Sequence, residues 1–540
     1  MPKKLPIGIQ TFSEIREDNY YYVDKTSFAL QLIDQGKHYF LSRPRRFGKS
    51  LLIDTLKELF EGNANLFEGL YAEHHWDWNI KYPVLRFSFG AGVLTQAHEL
   101  EQVLGRQLDT FEEQFGIPTR YPDYLPNRLS ALISSLHQTT GQRVVILVDE
   151  YDKPILDNLT QPEIAVQMRE QLRSLYSVFK DADAHLKFLM ITGVSKFSKV
   201  SLFSGLNNLR DITLEQQYSA LCGYTHHDLC SEFAPETEGV DLEKVREWYN
   251  GYNWRGESVY NPFDVLLYFA QRDFRPFWFE TGTPTFLANL LSQKQWFTPD
   301  FMQHDVNEAM LSSFDVEHML PEALLWQTGY LTFAHVKEIT TGHRVYTLSY
   351  PNREVEAALN DVLLPVYGPE RQPALVARSH MLEALLTQDF VGLKASIERL
   401  FASIPHDWYR KAAAVGESSS LTDGEVLPYG YSTANKLANF EGHYASVFYS
   451  QLAALGLNTQ PEDVTHKGRI DLSLRLKHCV YLFEFKVIDG PPDGSALQQL
   501  IERDYAAKYR EPGVEIVLVG IEFDRNARNV VGFETRVELA

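Results

Sequence analysis

The sequence predicts an α/β protein with a parallel sheet in its first half and a second, smaller α/β unit at its end. An alternating, aromatic-rich stretch at 38–42 passes through a tight loop into an amphipathic helix. A β-branched run at 143–148 is followed by two acids, which is typical of a central parallel strand with polar residues at its carboxyl end. Residues 426–540 instead follow the order helix, three strands, helix and strand. This change of order predicts two separate α/β units.

Length and composition restrict the class of protein. With 540 residues the chain is long enough for several domains, because single cores stop growing at roughly 250–300 residues. The formal net charge of −20 argues against indiscriminate binding to duplex DNA, although a local basic groove stays open. Three cysteines cannot form a disulfide framework. The start has no apolar signal region, and no apolar run is long enough to span a bilayer. We therefore expect a cytoplasmic protein without membrane contact.

The loop after the first strand ends in Gly48, Lys49 and Ser50, which fits the end of the consensus for a phosphate-binding loop. Between a strand and a helix, such a loop directs backbone N–H groups and the positive end of the helix dipole at one place. Lys49 would reach the β- and γ-phosphates, and the Ser50 hydroxyl would ligate Mg²⁺. The fit is incomplete, because Arg43 stands where the consensus has glycine. An ordinary basic turn is the alternative.

Two acids, Asp149 and Glu150, follow the buried run at 143–148. At the carboxyl end of a parallel strand, Asp149 would hold the Mg²⁺ shell and Glu150 would polarise the attacking water, as in a Walker B element. A buried strand that happens to end in an acidic turn is the alternative. This alternative is less favoured, because Lys49 and Ser50 independently predict a nucleotide and Mg²⁺ site.

Further strands are predicted at 186–192 and 211–214, separated from the preceding strand by a helix at 162–181. Thr192 or Ser195, at the end of the first of these strands, would contact the γ-phosphate. Arg210 stands just before the second strand, where a finger arginine acting on a neighbouring subunit is expected. A surface arginine is an equally good interpretation of Arg210.

The middle of the chain reads as helical. Residues 222–290 are predicted to form helices that cover the sheet as a lid. Between 291 and 415, helices accompany two predicted strands at 326–333 and 343–350, which suggests a winged-helix-like region. This hairpin lacks a stripe of Lys and Arg, so packing is favoured over DNA contact. The Ser- and Gly-rich stretch 416–424 is the best linker candidate.

A second candidate site lies in the C-terminal unit. Asp471 falls in one predicted strand and Glu484 in the next, so a hairpin brings the two carboxylates together. Glu484 and Lys486 share a face because side chains alternate along a strand. Two carboxylates and the backbone carbonyl of Phe485 would make a hard oxygen site for Mg²⁺ or Mn²⁺, and Lys486 would orient or activate water. A salt-bridged surface hairpin is the alternative.

Stretches in both halves resemble one family, the bacterial and archaeal proteins that join an AAA-ATPase-like domain to a C-terminal nuclease of the PD-(D/E)xK superfamily. The stretches that resemble its first domain are IGIQTF (7–12), YVDKT (22–26), SRPRRFGKS (42–50), LVDEYDKP (147–154), TGVSKFSKVSLFSGLNNL (192–209) and YNPF (260–263). Those that resemble its second domain are KGRIDL (467–472), FEFK (483–486), ALQQL (496–500) and GIEFD (520–524). The resemblance covers nearly the whole chain.

The resemblance implies an AAA-like P-loop domain at 1–221, a helical lid at 222–290, a helical and winged-helix-like region at 291–415, and a restriction-endonuclease-like domain at 426–540. Glu150 would be the catalytic acid of the ATPase. The residues expected to contact ATP or its Mg²⁺ are Arg45, Arg46, Phe47, Gly48, Lys49, Ser50, Asp149, Thr192, Ser195 and Arg210. The resemblance implies a nuclease core of Asp471, Glu484 and Lys486, with Glu441 as a helix acid and metal ligand, and Gln499 from the following helix.

One position departs from the family pattern, because Ala445 stands where the first nuclease helix often has histidine. His443 lies two positions before Ala445 and therefore faces about 200° away on a helix. We expect an ATP-binding protein whose ATPase module controls a metal-dependent DNase and which forms homo-oligomers, with defence against foreign DNA as a candidate setting. The alternatives are a signalling or scaffold ATPase whose nuclease-like domain only binds nucleic acid or a protein, and a nucleotide switch with weak turnover.

Overall fold

The structure is a computed structural model that describes residues 3–196, 203, 206, 208–280, 304–312, 320–363, 371–402, 438–476, 479–525 and 529–539. At 280, 304, 312, 321, 363, 371–375, 438–443 and 539 it describes the backbone alone. The chain divides into two compact units, Met1–Phe286 with Gln303–Arg353 and Leu287–Met302 with Glu354–Ala540. The four predicted domain ranges stay predictions. Over the described ranges, no helix combines the length and apolar character needed to cross a bilayer.

The first unit is built on a parallel five-stranded sheet in the order β2-β3-β4-β1-β5. Its strands are β1 His38–Ser42, β2 Val84–Ser88, β3 Val144–Asp149, β4 Leu186–Gly193 and β5 Arg210–Asp211. β1 and β3 are buried along their whole length, as expected of parallel strands covered on both faces. The predicted parallel sheet is therefore confirmed. β5 is shorter than predicted because the Asp211 carboxylate accepts a hydrogen bond from the Thr213 N–H and turns the chain.

Helices cover both faces of this sheet. Before β5 they are Phe12–Glu17, Thr26–Gln35, Lys49–Glu61, Ala97–Phe115, Leu125–Thr140, Lys153–Leu156 and Pro162–Asp181. Short 3₁₀ turns lie at Ala64–Phe67, Tyr71–His74, Asp183–His185 and Gln216–Tyr218. The Lys49–Glu61 helix starts after Gly48 at φ 88° and ends before Gly62 at φ 77°. Both glycines adopt the left-handed conformation, which favours residues without Cβ.

The predicted helical stretch after residue 222 is present in its described part, as His226–Glu232, Ala234–Thr237, Leu242–Tyr249, Pro262–Gln271 and Phe277–Glu280. Thr225 and Asp228 form a capping box at the start of the first helix. Leu229 and Val265 of these helices, and Phe233 between the first two, share a buried core with Tyr21 and Val23 from the start of the chain. The N-terminal segment therefore packs with the helices that follow the sheet.

Of the two strands predicted at 326–333 and 343–350, the second is present as His343–Ser349, whereas the first begins only at Thr332. Residues Pro321–Thr328 form a helix, which ends at Gly329 with φ 92°. The Gly329 N–H bonds to the Leu325 and Trp326 carbonyls, so this cap overrides the β-prone aromatic residues. The strands present are β6 His304–Asn307, β7 Thr332–Thr340 and β8 His343–Ser349, next to a short Glu308–Ser312 helix.

The second unit contains a mixed sheet in the order β13-β12-β11-β10-β9, in which only the β11–β12 pair is parallel. Its strands are β9 Asn458–Thr465, β10 Gly468–Leu476, β11 Cys479–Ile488, β12 Glu515–Asp524 and β13 Asn529–Leu539. Its helices are Arg353–Leu363, Arg371–Thr387, Phe390–Ala402, Ala438–Ala453, Ser495–Glu502 and the 3₁₀ turn Tyr505–Tyr509. The predicted order of elements is confirmed, and β13 is an additional edge strand. The predicted linker at 416–424 lies outside the described residues.

Candidate functional site

A cavity of about 550 Å³ opens beside the carboxyl ends of the parallel strands in the first unit. The predicted site residues that line it are Arg45, Arg46, Phe47, Gly48, Lys49, Ser50 and Glu150. Its other wall comes from the N-terminal segment and the helical region, including Ile9, Tyr22 and Phe263. Asp149, Thr192, Ser195 and Arg210 do not line the cavity. The loop and one acid thus face a space that has both a charged and an apolar side.

Lys49 is folded back into its own loop. Its ammonium donates to the carbonyl oxygens of Arg43 and Pro44, each at 2.9 Å. Burial lowers the pKa of Lys49, while the nearby carboxylates, Asp149 first among them, act in the opposite direction. The loop therefore holds a cation at its centre, surrounded by backbone groups, at the edge of the cavity.

The acid at the end of β3 is fixed by the neighbouring strand. The Thr192 hydroxyl donates to the Asp149 carboxylate at 2.9 Å, and both side chains are buried. This contact arises because β4 lies between β3 and β1. Ser195 is placed differently, since its hydroxyl and N–H both donate to Asp152. Burial raises the pKa of Asp152, which these hydrogen bonds partly offset.

Glu150 adopts a left-handed backbone conformation with φ 55°, which is uncommon for a residue with a side chain. The following N–H, that of Tyr151, is held by the Thr192 carbonyl at 3.1 Å. A Cβ on Gly90 would lie 3.0 Å from a carboxylate oxygen of Glu150, so the absence of a side chain there leaves room for this acid. Burial, with the charge of Asp149, raises the pKa of Glu150. These features suit a proton acceptor more than a solvated surface acid.

Arg210 lies apart from the cavity. Its guanidinium donates two hydrogen bonds to the Glu215 carboxylate, at 2.7 and 2.6 Å. These hydrogen bonds raise the pKa of Arg210. In the isolated chain the guanidinium is thus paired locally, and an action on a neighbouring subunit requires it to leave Glu215.

In the second unit, the register of β10 and β11 brings Asp471 and Glu484 to facing positions, one step beyond the Leu472–Phe483 pair. The Phe485 N–H donates to the Asp471 carboxylate at 2.8 Å. Glu484 is 2% exposed and accepts a hydrogen bond from the Gln499 side chain. The Lys486 ammonium lies 3.8 Å from Glu484. Four of the five residues predicted here are therefore brought together, three from β10 and β11 and Gln499 from the Ser495–Glu502 helix. The side chain of the fifth, Glu441, lies outside the described residues.

Two residues around this cluster were not anticipated. Glu522 of β12 accepts from the Asp493 and Ala496 N–H groups, at 3.1 and 3.4 Å, and so fixes the start of the helix that carries Gln499. Tyr505 places its hydroxyl 2.5 Å from where a Cβ on Gly468 would be. Burial, and then the charge of Glu484, raises the pKa of Tyr505. The available signals were the GIEFD stretch (520–524), which contains Glu522, and the position of Tyr505 soon after Gln499.

The donor set of this cluster fits a hard cation. Asp471 and Glu484 offer carboxylate oxygens on one face, next to backbone carbonyls of β11, and Mg²⁺ and Mn²⁺ prefer such ligands. Within the described part of the chain, no group of three or more His, Cys, Asp or Glu side chains converges on one point. Two carboxylates could supply part of the shell of a Mg²⁺ ion, which usually retains several waters.

Comparisons with known proteins agree with this division. Residues 6–203 match a family described as a predicted AAA-ATPase, and residues 439–533 match the PD-(D/E)XK nuclease superfamily. The chain is also 54% identical over 532 residues to a protein of Azotobacter chroococcum mcd 1 described as "Uncharacterized protein in vnfD 5'region", covering 98% of each chain. The chain therefore belongs to the same family as this relative, with an AAA-ATPase-like domain followed by a domain of the PD-(D/E)XK nuclease superfamily.

Proposed function

We propose that the protein is a cytoplasmic, ATP-hydrolysing enzyme whose ATPase domain controls a metal-dependent DNA phosphodiesterase domain. The observation that carries the proposal is that one chain holds both sets of residues: a buried lysine beside Glu150, and a buried Glu484 beside Lys486 and Gln499. Defence against foreign DNA is the biological setting that we propose for this combination.

In the ATPase domain, the proposed role of Lys49 is to neutralise charge on the β- and γ-phosphates, for which its ammonium is already held at the loop. Ser50 lines the cavity and would ligate Mg²⁺, whereas Asp149, buried behind the cavity wall, would hold the water shell of the ion. The ion would neutralise the phosphate charge that develops during transfer. Thr192 keeps the Asp149 carboxylate in one orientation. Glu150 orients and deprotonates the water, and its raised pKa brings it closer to the pH at which a base is effective.

In the nuclease domain, Asp471 and Glu484 would hold a Mg²⁺ or Mn²⁺ ion, which supplies Lewis-acid activation of a phosphodiester and its attacking water. The Phe485 N–H fixes the Asp471 carboxylate, and Gln499 fixes that of Glu484. Lys486, 3.8 Å from Glu484, is placed to orient the water or to neutralise charge on the phosphate. A bound cation would offset the desolvation cost of burying the Glu484 carboxylate among apolar neighbours.

The test is a cleavage assay on linear, circular and single-stranded DNA, with Mg²⁺ or Mn²⁺, with and without ATP. We expect cleavage by the wild type that requires metal and changes with ATP, and no cleavage by Lys486→Ala. Nucleic-acid binding without cleavage under all of these conditions would instead support the alternative, a scaffold ATPase with a binding-only nuclease-like domain.

A prediction about assembly concerns Arg210. If the protein forms a homo-oligomer in which Arg210 acts in trans, Arg210→Ala should lower ATP hydrolysis by roughly 10³-fold or more, because a finger arginine stabilises transition-state charge. ATP affinity should change little. The measurement is steady-state hydrolysis together with molar mass by light scattering. Glu215→Gln is the matched control, since it weakens the same ion pair but keeps the guanidinium. Full-rate hydrolysis by a strictly monomeric wild type would refute the role in trans.

A further inference from the structure

Arg43 occupies the position at which the phosphate-loop consensus has glycine. Arg46 and Gly48 of this loop have positive φ, whereas Arg43 is not among the described residues with positive φ. The backbone at Arg43 therefore needs no glycine. The side chain is completely buried and does not line the cavity. Arg43 is thus an arginine of the loop that cannot contact a phosphate as it is placed.

The guanidinium of Arg43 is held by neutral groups from outside the loop. It donates to the Thr213 carbonyl at 3.0 Å and to the Tyr218 carbonyl at 3.1 Å, besides the adjacent Ser42 carbonyl. The Cζ atom of the guanidinium lies over the Trp254 ring, 4.2 Å from its centre. Burial lowers the pKa of Arg43 to about 10. A buried guanidinium whose hydrogen bonds go only to carbonyls is expensive to desolvate, so an apolar side chain would be the simpler way to fill this space.

The other end of the loop reaches the same tryptophan. The Phe47 ring lies 5.4 Å from the Trp254 ring and 4.7 Å from that of Tyr252, both edge to face. The Phe47 carbonyl also accepts the Gly223 N–H at 3.1 Å. Trp254 therefore contacts the loop on both sides of the Pro44–Arg46 segment, which leaves the loop little freedom to change shape.

We propose that Arg43 is a positioning residue for Lys49, and that it acts through its own backbone by clamping the loop to Trp254. This proposal rests on the proposed ATP binding. The Arg43 carbonyl accepts the Lys49 ammonium at 2.9 Å, and the adjacent Pro44 carbonyl accepts a second N–H. An ammonium has three donors, so two carbonyls fix its position and one donor remains for a phosphate oxygen. Clamping the Arg43 peptide therefore prepares Lys49 for the β- and γ-phosphates before ATP arrives.

The first experiment measures the affinity of full-length Arg43→Lys for a non-hydrolysable ATP analogue by calorimetry. We expect about tenfold weaker binding, because lysine keeps the charge but not the planar set of hydrogen bonds and the stacking on Trp254. Arg128→Lys is the matched control. Arg128 is also buried in this unit, pairs with Glu112 at 2.7 Å and does not line the cavity. We expect both variants to melt at a lower temperature, but only Arg43→Lys to lose affinity.

A second measurement tests the clamp through Trp254 and does not depend on Arg43→Lys folding well. We expect Trp254→Leu to weaken analogue binding and Trp254→Phe, which keeps an aromatic face, to weaken it less. The double variant Arg43→Lys with Trp254→Leu should bind more tightly than the product of the two single effects predicts. Equal affinity of wild type and Arg43→Lys, or strictly multiplicative effects, overturns the proposal. If Lys49→Ala loses analogue binding but Arg43→Lys keeps it, the Arg43 proposal fails and the proposed ATP site stands. If the wild type itself does not bind the analogue, both the Arg43 proposal and the proposed ATP binding fail.

Discussion

Lys49→Ala is expected to lose ATP binding, whereas Glu150→Gln is expected to bind ATP and not hydrolyse it. Lys49 is held at the loop by the Arg43 and Pro44 carbonyls, where it can meet the phosphates in the ground state. Hydrogen bonds to charged groups contribute about 1.5–3 kcal/mol each, so removing this donor should weaken binding by roughly 10- to 100-fold or more. Glu150 instead acts on the water, and loss of a general base lowers turnover by roughly 10²- to 10⁴-fold.

Calorimetry with ATP and single-turnover hydrolysis separate the two effects. Lys153→Ala is a useful control, since Lys153 is a second lysine of the cavity wall but pairs with Asp157. We expect it to keep most of the affinity. Because burial and Asp149 raise the pKa of Glu150, the rate of hydrolysis should fall on acidification at a higher pH than for an exposed glutamate. Unchanged ATP affinity in Lys49→Ala would rule out the phosphate-loop assignment.

Asp471→Asn and Glu484→Gln are both expected to eliminate metal-dependent DNA cleavage while the domain stays folded. Each variant keeps the shape and part of the hydrogen bonding, including an oxygen for the Phe485 N–H or the Gln499 amide. Each removes one of two facing carboxylates whose like charges repel unless a cation lies between them. Melting temperature without metal should stay the same or rise slightly, and the increase produced by Mg²⁺ or Mn²⁺ should shrink, as ligand linkage requires.

Lys486→Ala is the informative partner of these two variants. It is expected to lose cleavage while the metal-induced rise in melting temperature persists, because the ammonium acts on water or phosphate and not on the ion. The competing interpretation is a structural pair between Lys486 and the buried Glu484. In that case removing one partner would destabilise the metal-free domain by about 3–5 kcal/mol. A large loss of stability with an unchanged response to metal would end the nuclease assignment.

The sequence predicted the fold well where its signals are local. The alternating stretch at 38–42 and the β-branched run ending at Asp149 both became parallel strands, because hydrophobic period and β-branching act within a few residues. The failures were also local in origin. The strand predicted from 326 begins only at Thr332, since Pro321 and Gly329 delimit a helix whose apolar pattern resembles that of a strand.

The sequence by itself determined which residues can carry the proposed chemistry: Lys49, the acids after β3, and the acids and lysine of the β10–β11 hairpin. Their spacing along single elements is enough to indicate these sets. Only the tertiary structure decided what surrounds them, because those partners lie far along the chain. Arg43 meets a carbonyl 170 positions away, and Tyr505 reaches Gly468 from another element. Such contacts depend on how strands order in a sheet and which segments pack behind a loop, and these are set by burial of the whole core and not by local sequence pattern.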